Sequence, residues 1–63
     1  MDRLEQLEKM LADLQARYAD TTARMEGLKA AGKTRTATYR QLMGDKLTLA
    51  QMLETCRVYG LLD

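Results

Sequence analysis

Leu4, Leu7, Leu11, Leu14, Tyr18, Thr21, Met25 and Leu28 follow one another at intervals of 3, 4, 3, 4, 3, 4 and 3 residues. An unbroken 3,4 alternation over about four heptads predicts one long helix carrying a coiled-coil-like apolar seam. The remaining faces are charged, with Glu5–Lys9, Asp13–Arg17 and Asp20–Arg24 each placing the acid four residues before the base, the favourable order on a helix. Asp2 and Glu5 suit the start of this helix, and Lys29 followed by Gly32 suits its end. The predicted helix runs over about residues 2–31, roughly 45 Å at ~1.5 Å per residue. Thr21 is the polar member of the seam. Its hydroxyl is expected to bond back to a carbonyl one turn earlier, or to act as a polar seam residue that fixes register.

The second half is apolar on more than one side. One stripe runs Tyr39, Leu42, Lys46, Leu49, Leu53, Cys56 and Gly60; a second runs Met43, Leu47, Ala50, Val58, Leu61 and Leu62, interrupted by Glu54; Met52 and Tyr59 occupy a third side. Thr34, Thr36 and Thr38 are all plausible N-caps, and Thr38-Tyr39-Arg40-Gln41 fits a capping box. The pattern predicts a turn over about 32–35 and a second helix over about 36–60. So short a connection predicts an antiparallel hairpin; a nearly continuous bent helix that pairs only with other chains is the alternative. One partner helix covers less perimeter than helix two offers, and monomers rarely leave such a surface wet. The expected architecture is therefore all-α. A single hairpin domain spanning 1–63 assembles into an oligomeric helical bundle of two to four or more chains. Leu42, Met43, Leu47, Leu49, Leu53, Cys56 and Val58 form the expected oligomer interface.

Several single residues carry expectations of their own. Gly44, inside helix two, suggests close packing at a helix crossing, or else a bend. Lys46 on the apolar stripe is expected to snorkel. Cys56 reads as a small core residue, and Met10, Met25, Met43 and Met52 as adaptable packers. The segment Tyr59-Gly60-Leu61-Leu62 reads as a helix end whose tail folds back onto a neighbour.

Composition supports this picture. The 63 residues include no Trp, Phe, His or Pro and a single Cys. They are dominated by strong helix formers. A domain this short buries only ~60% of its unfolded surface, and with neither disulfide nor zinc available, association is the usual remedy. The N-terminus is charged from Asp2 onward and lacks the apolar stretch of a secretory signal. No run approaches the ~20 apolar residues of a membrane span. A cytoplasmic, non-membrane protein is expected.

Net charge is only +1, but its distribution is uneven. Residues 1–26 sum to −2, residues 27–44 to +4 with no acid among them, and residues 45–63 to −1. The basic stretch contains Gly27-Leu28-Lys29-Ala30-Ala31-Gly32-Lys33-Thr34, which fits G-x-x-x-x-G-K-[ST]. A working P-loop needs that turn between a buried strand and a helix N-terminus. Here the match continues a helical heptad, no β-branched run precedes it, and 63 residues do not build an NTPase sheet. What survives is anion-friendly chemistry at the start of helix two. Lys33, Arg35 and Arg40 supply donors, Thr34, Thr36 and Thr38 supply hydroxyls, and Tyr39 supplies a stacking surface.

Three function classes follow, none enzymatic and none needing a cofactor or metal, because no His, reactive thiol or carboxylate pair marks a catalytic centre. The first is an oligomeric binder that sequesters a phosphorylated small ligand or nucleotide through Lys33, Thr34, Arg35, Thr36, Thr38, Tyr39 and Arg40. In build, the chain resembles the small oligomeric helical proteins with which phages sequester the cyclic nucleotides of bacterial defence, the anti-CBASS sponges. That resemblance lies in architecture and residue types and assigns no site residue; it implies a role in anti-defence. The second class is an oligomerisation or interaction module that captures a partner helix. Nucleic-acid binding is the least supported, since four bases make a thin footprint and no helix-turn-helix spacing is present.

Overall fold

A computed structural model describes residues 2–62. Two helices make up the structure, α1 (Arg3–Ala30) and α2 (Ala37–Val58), packed against each other as a hairpin. The predicted boundaries hold to within two residues at every helix end. Asp2 caps α1 by accepting the Leu4 N–H on Oδ1 at 3.0 Å.

Both helices stop in the same way. Gly32 takes φ +71° and donates to the Lys29 carbonyl at 3.0 Å, while the Lys33 N–H reaches the Leu28 carbonyl at 2.8 Å. Gly60 takes φ +75°, with Gly60 N–H to Arg57 at 2.9 Å and Leu61 N–H to Cys56 at 2.9 Å. These are paired Schellman closures, in which a glycine adopts the left-handed conformation that a Cβ disfavours. The second turns the 60–62 tail back toward the hairpin itself, where Leu61 and Leu62 border a groove with Tyr18 and Leu53.

The cap of α2 differs from the capping box expected at Thr38. Thr36 is the N-cap: its Oγ1 accepts the Tyr39 N–H at 3.2 Å and donates to the Lys33 carbonyl at 2.9 Å. Gln41, which the box would send back to the Thr38 N–H, instead donates to Asp45 Oδ1 at 3.2 Å. Thr38 lies within the first turn of α2.

The seam of α1 faces α2. Leu11, Leu14, Thr21 and Met25 are buried and Leu7, Tyr18 and Leu28 half-buried, with only Leu4 left outside. On α2 the stripe Tyr39, Leu42, Lys46, Leu49, Leu53 and Cys56 answers it, Leu49 buried and the others half-buried. Lys46 carries its ammonium across the interface to 5.8 Å from the centroid of the Tyr18 ring, so its stem stays half-buried as expected. The back-bond expected of Thr21 is made by its neighbour: Thr22 Oγ1 donates to the Tyr18 carbonyl at 2.9 Å. Thr21 lines an interhelical groove with Arg17, Asp45 and Met52. Of the four methionines expected to pack, Met25 alone is buried; Met10, Met43 and Met52 are exposed. Gly44 marks no close crossing within the hairpin, because nothing lies within 4 Å of where its Cβ would be, and α2 runs through it unbroken.

The buried core is thin. Leu11, Leu14, Met25 and Leu49 are the buried apolar side chains, and the accessible surface is 5077 Å². A folded monomer of this size exposes about 4,100 Å². The hairpin leaves close to 1,000 Å² more surface in water than its mass calls for. Among the described residues, no helix is long and apolar enough to cross a membrane.

Candidate functional site

Two surfaces stand out, the basic turn and the outer face of α2. The turn is built by the first Schellman closure, which ends α1 at Ala30 and leaves five residues before the Thr36 cap bond starts α2. Residues 27–30 are helical, so the G-x-x-x-x-G-K-[ST] match forms no phosphate cradle. Lys33, Thr34, Arg35, Thr38 and Arg40 are exposed, and Thr36 and Tyr39 half-buried. The seven residues share one end of the molecule, five of them exposed. Thr38 borders a groove with Arg24, Gly27, Leu28 and Leu42. Thr36 has committed its hydroxyl to the helix cap, which removes one donor from the expected ligand set.

Lys9 pairs with Glu5 at 3.5 Å, Arg17 with Asp13 at 2.8 Å and Arg24 with Asp20 at 3.1 Å, the three pairs read from acid-first spacing. Arg57 adds a pair with Glu54, donating from Nη2 to both carboxylate oxygens at 2.8 and 2.6 Å. That hydrogen bond, with the charge behind it, raises the already high pKa of Arg57. All four pairs are solvent-exposed and local, so each adds little to stability. Among the described residues, Lys29, Lys33, Arg35 and Arg40 make no ion pair. The acid-free stretch of sequence thus becomes an uncompensated basic end.

The residues expected at an oligomer interface divide between two sides of α2. Leu42, Leu49, Leu53 and Cys56 lie on the stripe packed against α1. Met43, Leu47 and Val58 lie outside it, Leu47 61% and Val58 74% exposed. At 100° per residue, Met43, Leu47, Ala50, Glu54 and Val58 fall within about 80° of one another, roughly 140° around the helix from Leu49. α2 therefore carries a second apolar stripe centred roughly 110° around the helix from the one packed on α1; its Ala50 and Glu54 border the groove shared with Gln15 and Tyr18 of α1, and the hairpin leaves Met43, Leu47 and Val58 uncovered. Met52 and Tyr59 flank the other side of the stripe against α1, and Tyr59 is 77% exposed.

Sequence reasoning missed the Glu54–Arg57 pair, whose signal was the i,i+3 spacing of acid and base in the last turn of α2. Among the described residues, no three His, Cys, Asp or Glu side chains cluster as a metal site would require. Compared with protein-family models, with curated proteins and with solved structures, the chain matches none.

Proposed function

We propose that the chain is a non-enzymatic helical interaction module that presents the outer face of α2 to another helix. One observation carries this reading: Met43, Leu47 and Val58 stand exposed on the flank of α2 that the hairpin leaves uncovered, and among the described residues four apolar side chains are buried. An amphipathic helix laid along this face would use the same i, i+4 and i+7 anchors by which helices are recognised in grooves. Removing that apolar area from water contributes at about 25 cal/mol per Å². The test is a variant carrying Met43→Asp, Leu47→Asp and Val58→Asp. It should keep the helical circular-dichroism signal of the hairpin and sediment as a monomer, whereas the unaltered chain sediments as a larger species. An unaltered chain that is monomeric from micromolar to millimolar concentration, and no less soluble than the variant, refutes the reading.

A second reading, sequestration of a phosphorylated small ligand or nucleotide by an assembly of hairpins, draws on the basic turn. What favours it is that Lys33, Arg35 and Arg40, gathered at one end, lack acidic partners among the described residues, although Arg3 and Lys46 elsewhere lack them too. A panel of nucleotides and cyclic oligonucleotides should then raise the melting temperature at micromolar ligand. The increase should vanish in Arg35→Ala and Arg40→Ala; no shift, or one those substitutions leave intact, ends this reading.

A further inference from the structure

We infer that the helix received by the outer face of α2 is α2 of a second copy, lying antiparallel about a two-fold axis at Leu47; this rests on that face being an interaction surface. Arg40, Leu47 and Glu54 are spaced seven residues apart and so fall within about 40° of one another on the outer side of α2. All three are exposed. An antiparallel pairing centred on Leu47 sets each residue 47−n level with residue 47+n of the partner. Leu47 then meets its own copy, and Arg40 of each chain stands level with Glu54 of the other. A parallel pairing in register would oppose Arg40 to Arg40 and Glu54 to Glu54, which is repulsive at both ends. The charge pattern is self-complementary in one direction only.

Two further observations fit this register. Gly44 and Ala50 sit three residues to either side of Leu47, Gly44 exposed and Ala50 half-buried beside the groove shared with α1, flanking positions where small side chains let two backbones approach. Gly44 has open space around its missing Cβ within the hairpin, so its smallness serves no contact made there. Glu54 already holds Arg57, but a carboxylate offers about four lone-pair sites and can take a second guanidinium. The area also agrees. The hairpin exposes close to 1,000 Å² beyond the expectation for its size, and a standard interface removes ~800 Å² from each partner.

The arrangement has a functional corollary. Thr36 lies eleven residues from Leu47, so the two basic turns of such a dimer stand about 33 Å apart along the paired helices. No small ligand touches both. If the turns bind an anion, each does so alone.

The experiment is oriented cross-linking in a Cys56→Ser background with sedimentation equilibrium alongside. A chain carrying Arg40→Cys mixed with one carrying Glu54→Cys should oxidise to the mixed disulfide in preference to either symmetric product. Arg40→Glu or Glu54→Arg alone should weaken the dimer about tenfold, and the two together should restore it to within about threefold. Predominant disulfides between two copies of the same variant, or a dimer abolished by Leu47→Asp yet indifferent to both charge reversals, overturn the antiparallel register while leaving α2 as an interaction face. A monomer at every concentration overturns the register and the face together.

Discussion

Replacing Gly44 with alanine should stabilise the isolated hairpin. Gly44 lies in the interior of α2 with ordinary helical φ, since positive φ among the described glycines belongs to Gly32 and Gly60. A Cβ built on it meets nothing within 4 Å, and its carbonyl keeps the bond from Thr48 Oγ1 at 3.1 Å. The substitution therefore adds no clash and removes no contact, and only the helix propensity changes, by about 1 kcal/mol in favour of alanine. Against a total stability of about 3–9 kcal/mol for a domain of this length, that is a large fraction. It corresponds to a rise of about 4–8 °C in Tm or about 1 M in the urea midpoint. The assay is thermal and urea unfolding followed by circular dichroism, first in protein dilute enough to be monomeric. A neutral or destabilising effect there would show that something packs against Gly44 within the chain, and the description of α2 as open on that side would be wrong. Repeated at high concentration, the same measurement should show a smaller gain, because alanine then widens the backbone approach beside Leu47.

Leu14→Ala removes the most buried apolar side chain, 4% exposed, and should cost about 3 kcal/mol. Dilute protein should then lose most of its helical signal, while Leu47→Ala leaves it unchanged. Thr36→Ala should cost about 1 kcal/mol by urea titration, and Thr34→Ala and Thr38→Ala less than half of that. Equal effects at the three threonines would contradict the assigned cap.

The helices were legible because their signals are local and redundant: heptad spacing, acid-first ion pairs, Asp2 at one end and Gly32 at the other. The choice among Thr34, Thr36 and Thr38 was not, because alternating threonines offer three caps of equal chemistry. What decides among them is how many residues the turn spends after the closure at Gly32, a property of the path between two packed helices. Thr21 and Thr22 present the same difficulty one step apart: both have a carbonyl one turn behind, and the outward-tilted neighbour takes it. The doubled apolar character of α2 was visible in the spacing, but which stripe meets α1 depends on the partner. The stripe that pairs shares the 3,4 rhythm of the α1 seam, whereas Glu54 breaks the other. For the basic turn, sequence supplied the residue types and the absence of acids. It did not show how far those residues would be covered, and in the hairpin five of the seven stand exposed.

Every side-chain hydrogen bond and ion pair described above joins residues no more than four apart. Among the described residues, the polar traffic between α1 and α2 reduces to one ammonium near one ring. The joint between the helices is thus made of shape and apolar area, with no directional bond to say which chain supplies the other half. Opening the turn and closing α1 onto the α2 of another molecule recreates every contact at the cost of joining two chains. Such a hairpin can exchange helices only by opening, and labelled and unlabelled chains, once mixed, should share α1–α2 pairs no faster than the hairpin opens.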